Sequence, residues 1–160
     1  MKYYLTILMV VTFCLTQCQN EPSEESVTTV AEVTEYNDGH LNKRWVKKMY
    51  VSDSSGYQIL TTTHVNYSLA IDRYSRQQKD QFINYIDSTF TEIATKLYPE
   101  FSYYEIYNSK RAVIENELQM RLTNPLENNN INLNYVVLKK LDFPEYLVKL
   151  ILEKEEKNAR

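Results

Sequence analysis

The sequence predicts an α+β domain in which a small mixed or antiparallel sheet is packed by helices, with a charged helix at the C-terminus. Three observations predict it. Every second residue from 59 to 71 is apolar or β-branched, which is the period of a strand with one buried face. Apolar residues between 82 and 97 follow the three-to-four spacing of one helical stripe. Alternation returns over 131–141, broken at Lys139, and predicts a second long strand.

A first strand and a hairpin are expected ahead of these elements. Large apolar residues mixed with lysines predict a strand over 45–51. The turn that follows, Asp53 to Gly56, combines an aspartate suited to turns with a glycine that tolerates positive φ. It joins this strand to the one over 58–71 as a hairpin. The strands over 58–71 and 131–141 are expected to be neighbours in one sheet, with the helices on its apolar face.

Proline residues mark most of the expected helix boundaries. Pro99 ends the first helix, and the aromatic residues 101–107 after it predict a packed loop. Ser109 is the expected N-cap of the second helix, which Asn124-Pro125 ends. Pro144 stands at the start of the last helix, where its missing N–H costs nothing.

The N-terminus predicts export. Residues 1–18 form the expected signal, because Tyr3–Leu15 is an uncharged, mostly apolar run that is short for a membrane span. The run ends in Leu15-Thr16-Gln17-Cys18, which resembles a bacterial lipoprotein box with Gln17 where a small residue is usual. Cys18 is then the lipidated first residue of the mature protein. The alternative is a plain cysteine beside an ordinary signal peptide or a short uncleaved anchor. Lipidation or an anchor would tether the domain to a membrane.

Four segments are expected along the chain. The signal occupies residues 1–18. An acidic stretch rich in Ser and Thr predicts a flexible linker over 19–43, because it has few large apolar residues to bury. The α+β domain spans 44–143, and residues 144–160 begin the C-terminal helix.

The composition excludes several classes of function. Two glycines cannot build a glycine-rich phosphate loop, and a net charge of −3 gives no electrostatic attraction for nucleic acid. Both cysteines lie in the predicted signal, and the two histidines, His40 and His64, have no clustered ligands, so no metal or cofactor is expected. Glu115 and Glu117 are two residues apart on a helix, which predicts a solvated face and not an acid–base pair. No catalytic residue is expected.

The second half of the chain carries an ordered set of motifs. Tyr107 to Arg111 leads into a helix, Asp142-Phe143-Pro144 joins the second long strand to the last helix, and Glu153 to Arg160 is highly charged. With the turn and strand before them, these motifs resemble a prohibitin-type domain over residues 49–160. This domain is also called the band 7 or stomatin/prohibitin/flotillin (SPFH) domain. The resemblance implies a prohibitin-like fold and a non-enzymatic scaffold that organises membrane patches and regulates membrane-bound proteases or channels.

Two functional hypotheses follow. In the first, the chain is a membrane-tethered scaffold on the extracytoplasmic side of a bacterial cell envelope, and it associates with itself or with an envelope membrane protein. Its expected contact residues are the loop tyrosines and one face of the last helix: Tyr98, Tyr103, Tyr104, Tyr107, Leu147, Leu150 and Ile151. In the second, it is an envelope lipoprotein that acts as a monomeric module binding a ligand or a partner through the aromatic loop. The tyrosines also have a structural alternative, in which they pack the edge of the sheet.

Overall fold

A four-stranded antiparallel sheet forms one layer of the molecule, and helices form the other. The structure is a computed structural model and describes residues 29–37, 40–70 and 75–159. The strands are β1 (Thr29–Asn37), β2 (His40–Ser52), β3 (Gln58–Ala70) and β4 (Asn132–Asp142). Their order in the sheet follows chain order, and each pairs with the next in antiparallel direction. The predicted hairpin of β2 with β3 and the predicted pairing of β3 with β4 are confirmed.

The described chain contains four α-helices and one 3-10 turn. They are α1 (Arg76–Leu97), the 3-10 turn (Tyr98–Glu100), α2 (Tyr103–Asn108), α3 (Arg111–Glu127) and α4 (Glu145–Asn158). The α+β class is thereby confirmed. Helix α1 begins with a capping box formed by Ser75 and Gln78. Its predicted stripe packs on the sheet, where the Phe90 ring lies 5.1 Å from the Trp45 ring.

The prediction of a flexible linker over residues 19–43 is wrong for the part that belongs to the sheet. Residues 29–37 form β1, and residues 40–43 belong to β2. Hydrogen bonding between two strand backbones does not require apolar side chains, and the Thr and Val residues of β1 have high strand propensity. These preferences outweigh the acidic composition on which the linker prediction rested. Residues 1–28, which include the predicted signal and Cys18, lie outside the described residues.

The predicted aromatic loop over 101–107 is mostly the short helix α2. Its N-terminus is stabilised by a capping box, in which Ser102 Oγ accepts from the Glu105 N–H at 3.4 Å and Glu105 Oε2 accepts from the Ser102 N–H at 3.0 Å. Ser109 ends this helix and does not cap the next one. Helix α3 begins two residues later without a side-chain cap.

Helix α3 continues past the proline that was expected to end it. Pro125 lies inside the helix, which runs to Glu127. A proline removes one backbone hydrogen bond to the carbonyl four residues earlier, and here it does so in the last turns, where few further bonds depend on it. Leu122 and Leu126 on either side are completely buried, and each burial contributes roughly 1.5–3 kcal/mol that holds the end of the helix against the core.

Strand β4 turns different side chains inward from those predicted. Simple alternation over 131–141 would place Tyr135 and Val137 on the buried face, yet Tyr135 is 51% exposed while Val136 and Leu138 are buried. The cause is a pair of register shifts in the pairing of β4 with β3. Each shift marks a β-bulge, and a one-residue slip moves the following side chains to the opposite face. Between the two bulges, the face of β4 that packs on the core is therefore the face that simple alternation assigns to solvent.

Candidate interaction surface

Three of the predicted contact residues lie in the core. Tyr98, Leu147 and Ile151 are 0% exposed, so they cannot form a contact surface in this fold, and that prediction is corrected. Tyr98 follows α1 directly, and the 3-10 turn carries its ring into the same core as the helical stripe before it. Leu147 and Ile151 form the inward stripe of α4. The other four predicted residues reach the surface. Tyr107 and Leu150 are exposed, whereas Tyr103 and Tyr104 are half-buried.

Aromatic rings from three parts of the chain meet beside α2. The Tyr57 ring lies 5.4 Å from the Tyr103 ring in a T-shaped contact and 6.1 Å from the Tyr146 ring. The Tyr107 ring makes a second T-shaped contact, with Phe143 at 5.4 Å. Because Tyr103 and Tyr107 are one helical turn apart on α2, the two groups adjoin. We call this patch the tyrosine surface; it consists of Tyr57, Tyr103, Tyr107, Phe143, Tyr146 and Leu150, which is one turn after Tyr146 on α4.

Half of the tyrosine surface was not predicted from the sequence. Tyr57 follows the β2–β3 turn, Phe143 lies between β4 and α4, and Tyr146 is in the first turn of α4. The available signal was compositional, since the chain contains 14 tyrosines. Composition does not state which of them meet, because that depends on contacts between distant parts of the chain.

A contact between α2 and α4 also holds the second half of α4. Lys154 Nζ lies 4.1 Å from the centroid of the Tyr104 ring. A cation over an aromatic face contributes about 0.5–1 kcal/mol at an exposed site. Tyr104 therefore contacts α4 from the side of α2 and helps to keep the two helices of the tyrosine surface together.

The backbone under the tyrosine surface is held by Asp53, which is 2% exposed. Its Oδ1 accepts hydrogen bonds from the N–H groups of Ser55 at 2.9 Å and Tyr57 at 2.7 Å. Its Oδ2 accepts from the Tyr103 N–H at 2.8 Å. One carboxylate thus closes the β2–β3 turn and docks the first residue of α2 against it. The sequence identified Asp53 as a turn residue, but its bond to α2 was missed.

Glu115 was expected on a solvated face, and the structure corrects this. Its Oε1 accepts from the Leu138 N–H at 2.7 Å, and Arg111 donates to the carbonyls of Leu138 and Lys139. Strand β4 is at the edge of the sheet, so these side chains occupy backbone groups that another strand could otherwise pair with. Glu117 forms a surface ion pair with an arginine one turn later.

The two fully buried core tyrosines are neutral near physiological pH. Burial raises the pKa of Tyr67 to about 12. Burial also raises the pKa of Tyr98 well above its ordinary range, against an opposing effect of the Thr61 hydroxyl. Neither phenol therefore ionises near neutral pH, and both side chains contribute to the packing of the core.

Neither a metal-binding cluster nor a membrane-spanning helix is found among the residues that the structure describes. Within residues 29–37, 40–70 and 75–159, no group of three or more His, Cys, Asp and Glu side chains could hold a metal ion. In these same segments, no helix combines the length and apolar character needed to cross a bilayer.

Comparison with known proteins leaves the family open. No protein-family model matches the chain, and a search of curated proteins finds no significant match. The resemblance to prohibitin-type domains therefore stays a prediction.

Proposed function

We propose that the chain is a non-enzymatic, membrane-tethered interaction protein that resembles the prohibitin-type membrane organisers and acts on the extracytoplasmic side of a bacterial envelope. Its tether is the N-terminal segment, through a lipidated Cys18 or an uncleaved anchor. The tyrosine surface contacts a second copy of the chain or an envelope membrane protein. The observation that carries this proposal is the exposure of Tyr107, Tyr146 and Leu150, at 46%, 52% and 36%, on adjoining elements.

Grouped aromatic side chains at a surface favour a protein contact. Tyrosine and phenylalanine are enriched in interface cores, and tyrosine combines a rigid apolar ring with a hydroxyl that stays hydrated. A fully exposed side chain of this size has an accessible area of about 200 Å². Burying the exposed fractions of these three side chains would therefore remove roughly 250 Å² from water. At about 25 cal/mol per Å², the gain is about 6 kcal/mol for one copy and about 12 kcal/mol for a pair in which both copies bury the patch.

This gain predicts weak association of the free domain. Association costs an estimated 4–15 kcal/mol in lost translational and rotational freedom, which is similar to the gain from the two patches. A stable interface also buries roughly 800 Å² on each partner, about three times the area available here. A membrane tether offsets this shortfall because it raises the effective concentration of one copy near another.

Self-association can be measured on the full chain in a mild detergent, by light scattering that separates protein mass from detergent mass. The mass is expected to rise with concentration above that of the 19.0 kDa chain. Tyr146→Ser and Leu150→Ser should each shift the transition to higher concentration. Met120→Ser is the matched control, because Met120 is 60% exposed on α3, a helix that contributes no residue to the tyrosine surface.

Two results would contradict self-association through this surface. One is a single-chain mass at every concentration for the wild type. The other is an equal effect of Met120→Ser and Leu150→Ser, which would mean that any exposed apolar side chain drives association. In the first case, photocrosslinking from position 146 in membranes would show whether an envelope protein occupies the surface instead.

A second candidate function is that of a monomeric envelope lipoprotein that binds a ligand. The observation that favours it is a cavity on the face of the sheet opposite the helices. This hypothesis expects a single-chain mass at all concentrations together with saturable binding of a small molecule.

A further inference from the structure

The outer face of the sheet, opposite the helices, contains a cavity of about 90 Å³. Its walls come from β2, β3 and β4, and they are Arg44, His64, Asn66, Tyr135, Val137 and Lys139. Tyr135 and Val137 are the two side chains that simple alternation would place in the core. They reach this face because of the register shifts in β4.

The two β-bulges of β4 bound the cavity. One shift lies opposite residues 62–63 of β3 and leaves Lys139 as the extra residue; the other lies opposite residues 66–67 and leaves Asn134 as the extra residue. Bulges bend a strand and redirect side chains, and they are frequent beside functional sites. The irregular position of Lys139, already visible as a break in the alternation of the sequence, is thus the feature that turns its ammonium group towards this face.

The cavity wall contains a polar side chain that is almost completely buried. Asn66 is 7% exposed as a whole residue, and it is one of the residues that line the cavity. A primary amide has two N–H donors, so this side chain can donate to a group that enters the cavity. The Lys139 side chain is exposed and forms no ion pair with the described residues, which leaves its charge available.

The charges around the cavity are positive. Arg44 and Lys139 are the basic residues of its wall, and the described lining residues include no carboxylate. The nearest acid by register is Glu32 of β1, which stands opposite Arg44. A guanidinium group has five N–H donors and can therefore serve a protein partner and a ligand together. Donors of this kind bind oxyanions through charge-assisted hydrogen bonds.

We propose that this cavity binds an oxyanion, in the form of a phosphate or carboxylate group of a small molecule. Lys139 and Arg44 supply charge, and the Asn66 carboxamide supplies a neutral donor. Pockets for complete drug-sized ligands hold roughly 300–1,000 Å³, so this cavity takes the anionic group while the remainder of the ligand lies over the exposed Tyr135 ring. The inference is independent of self-association through the tyrosine surface.

Titration calorimetry of the full chain in non-ionic detergent tests this assignment, with sodium chloride holding ionic strength constant. The probes are inorganic phosphate, acetate and phenyl phosphate, and saturable millimolar binding of at least one is expected. Phenyl phosphate should bind more tightly than inorganic phosphate if the Tyr135 ring contacts the ligand; equal affinities would limit the site to the free anion.

Lys139→Met should weaken binding about tenfold, because it removes a charged donor. Lys140→Met is the matched control. It removes the same charge one residue along the strand, but Lys140 pairs with Asp142 at 2.7 Å and does not line the cavity. Asn66→Asp keeps the size of the side chain and places a negative charge in the wall, and it should abolish binding. Thermal unfolding confirms that each variant is folded.

Absence of saturable binding to the wild-type chain overturns the proposal. So does an equal loss in Lys139→Met and Lys140→Met, since that result would mean that the overall charge attracts the anion. Amide chemical shifts of the wild-type chain give a second measurement that needs no variant. Phosphate should move the signals of residues 64–66 and 135–139, and changes elsewhere without changes there would also refute the site.

Discussion

Replacing Asp53 with asparagine or alanine should separate the two roles of its carboxylate. In the wild type, Oδ1 accepts the N–H groups of Ser55 and Tyr57, and Oδ2 accepts that of Tyr103 at 2.8 Å. Asparagine keeps one carbonyl oxygen for the turn but places an NH₂ group opposite the Tyr103 N–H, so that two donors face each other. Alanine removes both acceptor oxygens, and with them all three hydrogen bonds, and leaves the turn and the start of α2 without a common partner.

The magnitudes follow from the number of bonds lost. A hydrogen bond to a charged group contributes roughly 1.5–3 kcal/mol, so Asp53→Asn, which loses one, should lower the free energy of unfolding by about 2–3 kcal/mol. Asp53→Ala loses three bonds to a single group, which do not add fully, and should cost about 4–5 kcal/mol. That is a large part of the roughly 5–15 kcal/mol by which a domain is stable.

Urea unfolding followed by intrinsic fluorescence measures these free energies, and hydrogen exchange locates the loss. Asp53→Asn should speed exchange at the Tyr103 N–H while the N–H groups of Ser55 and Tyr57 stay protected. Asp53→Ala should speed exchange at all three. Asp142→Asn, which alters a surface ion pair, is the control and should change stability by less than about 1 kcal/mol. A cost below about 1 kcal/mol for Asp53→Ala, or equal effects of the two Asp53 variants, would refute the reasoning.

Three further outcomes are expected. Glu115→Ala should cost about 1–3 kcal/mol and speed exchange at the Leu138 N–H, because it leaves that donor unpaired, whereas Glu117→Ala should cost less than about 1 kcal/mol in urea unfolding. Lys43→Met should stabilise the protein at neutral pH, because burial lowers the pKa of Lys43 in the folded state. The unfolded state then binds more protons, so wild-type stability should rise with pH through the interval between the folded and unfolded pKa values, and the variant should lack this rise. The pKa of Glu105 is lowered in the folded state, chiefly by the backbone hydrogen bond at the N-cap of α2. Ionised Glu105 therefore stabilises the folded state fully above its unfolded-state pKa, and this stabilisation is lost as the pH falls through the folded-state pKa. Glu105→Gln should flatten that acid-side decline in urea midpoints measured between about pH 6 and pH 3.

Local patterns in the sequence predicted most of the elements correctly. Period-two alternation located β3, and the Asp53–Gly56 turn located the β2–β3 hairpin, because both depend on residues close together in the chain. Strand β1 was missed because its acidic residues resemble a linker when taken alone. It is a strand because β2 offers it a backbone to pair with, and that partner is not visible in its own composition.

The limit of alternation is clearest in β4. Lys139 is visible as a break in the alternation, but a break alone does not indicate a bulge. The bulge near Asn134 leaves the alternation of the sequence unchanged. Because each bulge shifts the strand by one residue, Tyr135 lies on the outer face and not on the buried face that simple alternation would give it. The cavity exists for this reason, so sequence alternation alone could not have found it.

The sequence by itself determined the α+β class, the β2–β3 hairpin, the pairing of β3 with β4, and the tyrosine-rich composition of the candidate surface. Only the tertiary structure decided that Tyr98 is buried while Tyr107 and Tyr146 are exposed. It also decided that Asp53 reaches Tyr103, 50 residues later in the chain. The physical reason is how far apart in the chain the interacting residues lie. Periodicity and turn chemistry act between neighbours along the chain, whereas burial and buried hydrogen bonds depend on which distant element covers each face.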